Sequence, residues 1–211
     1  MQVYSRGMTE NEAGREAGPA GTPQVHYVNA RTLRGLAHPL RMRLLNTLRE
    51  FGPATASGLA GRLGESSGAT SYHLRQLASY GFVEDAPELG KGRERWWKAV
   101  HLGTAFDNTA DFLRDPDPEV RDAMGVILHE VSTTHAQELS TWLGTMHTWP
   151  EEWLHSWDLS DFKVRLTPEL SKELAEKIHD LVNSYRGRVP EDTEGSAVVR
   201  THLHVFPRSS D

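Results

Sequence analysis

The 211-residue sequence predicts a mostly α fold with a small β component, of the α+β class, and three observations lead there. Leucine and alanine recur at helical spacing in four short stretches between residues 30 and 79. A β-rich stretch follows, with Phe82-Val83-Glu84-Asp85, the turn-rich Gly90-Lys91-Gly92-Arg93 and the aromatic run Trp96 to Val100. From residue 101 onward, helical patterns dominate, interrupted by two brief alternating segments.

Taken in order, residues 1–28 open with a tail whose first 24 positions are rich in Gly, Glu, Ala and Pro, a composition that favours disorder. Ala30 to Gly35 reads as a first short helix, broken at His38-Pro39. Leu40 to Phe51 reads as the second, with Leu40, Leu44, Leu45 and Leu48 on one side and Gly52-Pro53 at its end. Thr55 to Leu63 is the third, closed by Gly64. The fourth begins at Ser66 or Ser67, whose hydroxyls suit an N-cap, and Gly81 is placed to end it. Leu74 and Leu77 give it an apolar side, and His73 beside them reads as packed. Its other side carries Ser, Thr, Tyr and Arg. Trp96 and Trp97 alternate along the following strand, so one of them belongs to the core.

Three short helices, a fourth with a polar face, and then a basic hairpin form the layout of a winged helix-turn-helix, which lays its fourth helix in the DNA major groove. This assigns residues 29–100 to a DNA-binding domain. Candidate contacts are Ser67, Gly68, Ala69, Thr70, Ser71, Tyr72, Arg75 and Gln76 on the helix, with Lys91, Arg93 and Arg95 on the wing. Gly68 and Ala69 would admit the DNA backbone closely, and Gln76 suits a phosphate contact or plain solvation. Double-stranded DNA is therefore the expected partner.

The same residues resemble the ArsR/SmtB family of bacterial regulators. The likeness rests on His38-Pro39-Leu40-Arg41 with Leu44-Leu45, on Thr70 to Leu77, on Gly81-Phe82-Val83 and on Gly92-Arg93 to Trp97, about a third of the chain. It implies that Ser67, Thr70, Ser71, Tyr72 and Arg75 face the groove. It also implies a homodimer on a palindromic operator, acting as a repressor.

Charge divides the chain in the same way. Residues 29–100 hold 11 Lys/Arg against 6 Asp/Glu, a net of +5, whereas residues 101–211 hold 10 against 20, a net of −10. A basic segment inside an acidic chain of net charge −6 is what phosphate binding requires. No apolar run approaches a membrane span and no secretory pattern opens the chain, so the expectation is a cytoplasmic protein without a membrane partner. The sequence lacks a phosphate-binding glycine loop, a Gly-x-Ser-x-Gly elbow, a His-Glu-x-x-His motif and any cysteine. An enzyme is not expected. A winged helix used only for protein contact is an alternative, against which the polar face of the fourth helix speaks.

Residues 101–211 read as a dimerisation or effector-binding module of helical and αβ character. Thr104 to Arg114 has helical spacing, with Phe106, Ala110 and Leu113 on one side. A long helix runs from Glu119 to about Met146 and carries Val120, Met124, Ile127, Leu128, Val131, Leu139 and Trp142. Phe162 to Leu166 and Val198 to Phe206 alternate like paired strands. Between them Thr167-Pro168-Glu169 starts a helix with Leu170, Leu174, Ile178, Leu181 and Tyr185 inward. Trp142, Trp149, Trp153 and Trp157 crowd one short region and form a candidate wall for a small organic effector, or simply a core. Without cysteine, thiolate metal sensing is excluded. His135-x-x-Glu138 resembles half of a family zinc site, but Met124 stands where the upstream ligand belongs. His202 and His204 share a strand face. A histidine-based metal-responsive repressor is thus a further alternative, and no metal or cofactor is assigned.

Overall fold

The first four helices in this chain begin where a side-chain oxygen or nitrogen meets an amide that the first turn leaves unpaired. The computed structural model describes residues 3–4, 25–90, 94–106, 109–190 and 192–208. Two compact units result, Met1–Gln137 and Glu138–Asp211.

In the first unit, Asn29 caps α1 (Ala30–Leu36) through a reciprocal box with Thr32. His38 caps α2 (Pro39–Phe51), with Pro39 at the first helical position. Thr55 caps α3 (Ala56–Leu63), accepting from the Gly58 amide at 3.1 Å, and Gly64 closes it in the left-handed region at φ 68°. Ser66 caps α4 (Ser67–Ser79), accepting from the Ala69 amide at 3.2 Å. The four helices match the sequence expectation to within a residue or two at each end.

Strand β3 (Ala54–Thr55) was not foreseen. It joins β4 (Val83–Asp85) and β5 (Trp96–Ala99) in an antiparallel sheet of order β3-β5-β4, so the wing is three-stranded at its base. Trp97 is the core-facing tryptophan, and Trp96 is half-buried.

Thr104 to Arg114 is not one helix. Gly103–Ala105 forms β6, paired in parallel with β2 (Val25–Tyr27) and with β1 (Val3–Tyr4), and only Thr109–Leu113 is helical, as α5. Burial decides this: Thr104, Ala105 and Phe106 are consecutive core residues, which a helix could not place on one side. Pairing also removes Val25–Tyr27 from the expected N-terminal tail.

Arg49 of α2 fastens this sheet. Its guanidinium donates to the carbonyls of His101 and Gly103 and to Thr104 Oγ1 at 2.9–3.0 Å, and burial lowers its pKa to about 10. The core gathers Leu33, Leu36, Leu44, Leu45, Leu74, Leu77, Phe82, Phe106, Met124 and Ile127, all essentially inaccessible. Each such side chain contributes about 1.5–3 kcal/mol. The first turns of α6 (Pro118–Thr145) complete it with Val120 and Ala123.

The second unit contains the end of α6, α7 (Glu151–Leu154) and α8 (Pro168–Asn183), capped by Thr167. Residues 162–166 and 198–206 are not strands. Phe162 is 84% exposed and Val198 95%, so their alternation has neither a ladder partner nor a covered face. Leu170, Leu174 and Leu181 of α8 and Tyr185 just beyond it are exposed rather than inward, and only Ile178 of that stripe is half-buried.

Candidate nucleic-acid interface

Helix α4 has a buried stripe of Thr70, Leu74 and Leu77 at the i, i+4, i+7 spacing of one helix face. Away from it, Gly68, Tyr72 and Arg75 are exposed, with Tyr72 at 52%, and Ser71 and Gln76 are half-buried; Ser67 is exposed at the helix start in register with the stripe, and Ala69 is half-buried against the core. Burying two leucines holds the helix down while its polar residues remain in solvent.

Thr70 corrects the expected contact list. It is fully inaccessible and its hydroxyl has no hydrogen-bond partner, so it offers nothing to a ligand outside. Of the other seven helix candidates, Gly68, Ser71, Tyr72, Arg75 and Gln76 lie on or beside the outer face, Ser67 is exposed at the helix start, and Ala69 packs against the core.

An open groove of about 320 Å³ runs beside that face. Ser71 and Arg75 line it from α4, Thr55, Ala56 and Ser57 from the start of α3, and Glu94, Arg95 and Trp97 from the wing. Thr55 and Ser57 were missed as site residues, although a hydroxyl at a helix N-cap is itself a signal for anion contact.

Two cations of the wing, Arg95 and Lys98, are compensated among the described residues. Arg95 Nε lies 2.8 Å from Asp85 Oδ2, and its guanidinium rests 4.2 Å from the centre of the Trp97 ring. Lys98 Nζ meets Glu84 at 3.3 Å and Glu88 at 3.4 Å. Arg75, by contrast, has no ion-pair partner among the described residues. Lys91 and Arg93 lie outside the described residues.

Two contacts seat α4 from behind. Tyr80, its C-cap, packs on Gly35 of α1, and the His73 ring stacks on His38 with centroids 4.2 Å apart. In the second unit the four clustered tryptophans do meet. Trp142 lies edge-on to Trp149 and Trp157 at 5.7 and 6.2 Å, and Trp149 meets Trp153 at 6.1 Å. The Trp142 indole N–H is buried without a partner. His202 Nε2 lies 2.7 Å from Glu138 Oε2. Among the described residues no group of three or more His, Asp or Glu is arranged to hold a metal ion, and no helix is long and apolar enough to cross a membrane.

Residues 36–86 match a family described as a helix-turn-helix domain. No curated protein matches the chain. Among solved structures, a disulfide-formed AbfR is similar at 17% identity and a TM-score of 0.26, over 47% of this chain and 70% of that one. RV1404 from Mycobacterium tuberculosis is similar at 13% identity and 0.29, over 75% and 85%. The C30AH42A mutant of ZitR from Lactococcus lactis is similar at 15% identity and 0.28, over 68% and 73%. The matched segment holds α2, α3 and α4, so the polar face lies on the last helix of the helix-turn-helix.

Proposed function

We propose that this helix-turn-helix protein, a DNA-binding regulator of transcription rather than an enzyme, reads its operator with the outer face of α4. Gly68, Ser71, Tyr72, Arg75 and Gln76 face the major groove, Ser67 and Ala69 lie beside them at the helix start, and the hydroxyls of Thr55 and Ser57 approach a flanking phosphate. One observation carries the reading: Arg75 is the uncompensated cation of the α4 face, beside Ser71 and a helix N-terminus, in a groove open to solvent.

The finer assignments follow from the resemblance in residues 38–97. The chain acts as a homodimeric repressor of ArsR/SmtB type on a palindromic site. Lys91, Arg93 and Arg95 meet phosphates from the wing once Arg95 exchanges Asp85 for DNA. The tryptophan cluster of the second unit, with its unpaired indole N–H, takes a small organic effector.

A fluorescence-anisotropy titration against duplex DNA from upstream of the chain's own coding sequence, with random duplex as competitor, tests the reading. Arg75→Ala and Tyr72→Ala should each cost about 1–3 kcal/mol of specific affinity and leave random binding nearly unchanged. Selective binding that survives both substitutions together would place the reading surface elsewhere.

A further inference from the structure

His38 and His73 meet where α2 begins. His38 occupies the N-cap of α2, and its Nδ1 accepts a hydrogen bond from the Leu40 amide at 3.1 Å. An acceptor at Nδ1 requires that the ring carry no proton there. His73 projects from α4, tilts 38° against the His38 ring and stands edge-on to Tyr72 at 5.0 Å. Its own Nδ1 is buried without a hydrogen-bond partner.

We propose that His38 and His73 are a positioning pair which, while both rings are neutral, seats the recognition helix on the start of α2 and so aims its outer face at DNA. A proton on either ring undoes the seat. On His38 it removes the acceptor that caps α2, and on His73 it places a cation against a second imidazole. The inference rests on the DNA-binding reading of α4.

The surroundings fit a neutral pair. Arg41 of α2 stands close to both rings, and Glu65 before α4 and Glu130 of α6 provide the opposing charge. Burial is the largest influence and pushes both imidazoles below their ordinary value. Arg41 adds to it at both rings, and His38 adds to it at His73. Glu65 pulls the other way at both, and Glu130 at His38. The expected behaviour opposes the ordinary one, in which added positive charge on acidification tightens binding to a polyanion.

The test uses the full chain with the labelled upstream duplex and random competitor, from pH 7.5 to 5.5 at constant ionic strength. Selective affinity of the wild type should fall roughly 5-fold or more across this range, the size of an ordinary coupling between two sites. His73→Phe keeps a stacking ring and His38→Asn keeps a capping side chain, yet neither titrates here. Each single variant should weaken the pH dependence and the double variant His38→Asn/His73→Phe should lose it, whatever their affinity at pH 7.5. A wild-type profile shared by both variants, or wild-type affinity that rises on acidification, overturns the proposal.

Amide hydrogen exchange without DNA separates the two readings. After correction for intrinsic rates, protection at Leu74 and Leu77 should fall on acidification in the wild type, fall less in His73→Phe and hold in the double variant His38→Asn/His73→Phe. If no DNA selectivity exists at pH 7.5, the operator reading fails and the exchange profile still decides the pair. A fall of wild-type size in the variants overturns it, and His38→Asn supplies the single-variant comparison should His73→Phe not fold.

Discussion

Gly35→Ala should destabilise the first unit, and the same substitution should stabilise it once Tyr80 is truncated. A Cβ at position 35 would lie 2.3 Å from Tyr80 Cγ and 2.6 Å from both Cδ atoms. Carbon atoms rest about 3.5–4.0 Å apart, so α1 or the recognition helix must yield by more than 1 Å. Overpacking of this kind costs about 1–3 kcal/mol. Against it stands a gain of about 0.8–1.0 kcal/mol, because Gly35 lies inside α1 and alanine is the better helix former. Except at the lower bound of its range the clash wins, and the net loss should be up to about 2 kcal/mol. In the Tyr80→Ala background the ring is gone and only the helix gain remains, about 0.5–1 kcal/mol in the opposite direction. Native-state hydrogen exchange at Leu74 and Leu77 reads the first unit alone, so the second unit does not blur the comparison. A Gly35→Ala effect of the same sign in both backgrounds would refute the packing argument.

Two further predictions follow from buried groups. Thr70→Val removes a buried hydroxyl without a partner, so stability should rise by up to about 1 kcal/mol, and DNA affinity should stay within twofold of wild type by titration. Loss of binding in that variant would return Thr70 to the contact surface. Burial, the largest cause in each case, lowers His26, His38, His73 and His101 below the ordinary imidazole value, and neighbouring arginines add to it. The unfolded chain then takes up protons first on acidification, so this stability is whole above about pH 6.5 and declines below it. Thermal melts between pH 7.5 and 5 should show a falling Tm, and a Tm that climbs toward pH 5 contradicts the burial of these rings.

What was legible in the sequence is what local chemistry decides. A serine cap at the start of α4, leucines at helical spacing, His38-Pro39 and Gly52-Pro53 as breaks and Gly64 or Gly81 at helix ends place α1 to α4, because each signal acts within one or two turns. Thr104 misled because its local pattern suits a helix as well as a strand. The deciding partner, Val25–Tyr27, lies almost eighty residues away. Residues 162–166 and 198–206 failed in the opposite sense: alternation sets which face a side chain takes, but it cannot supply a neighbour to pair with. Within the site, Thr70 was readable. It sits in register with Leu74 and Leu77, and the stripe outweighs a hydroxyl that looks suited to DNA. The contact of His73 with His38 was not readable, since nothing in either segment specifies how α4 crosses α2.

The charge of residues 29–100 is also less available than its count implies. Arg49 is buried, Arg34 pairs with Asp117 and Glu119, Arg43 with Glu65, Arg95 with Asp85, and Lys98 with two glutamates. Arg41 donates to the carbonyls of Arg34 and Ala37, and Arg62 lies 3.9 Å from the centre of the Phe51 ring. On the proposed reading, a net of +5 therefore describes a field that steers DNA toward this face, not a set of free phosphate clamps. Breaking exposed pairs of this kind to reach phosphate costs little, about 0–1 kcal/mol each, so they tune salt dependence more than choice of sequence. On the proposed reading, discrimination among sequences then falls to the short polar side chains and Tyr72 around Arg75. Their positions depend on how α4 is seated by Gly35, His38 and the leucines beneath it. Specificity in this fold is thus a packing property as much as an electrostatic one.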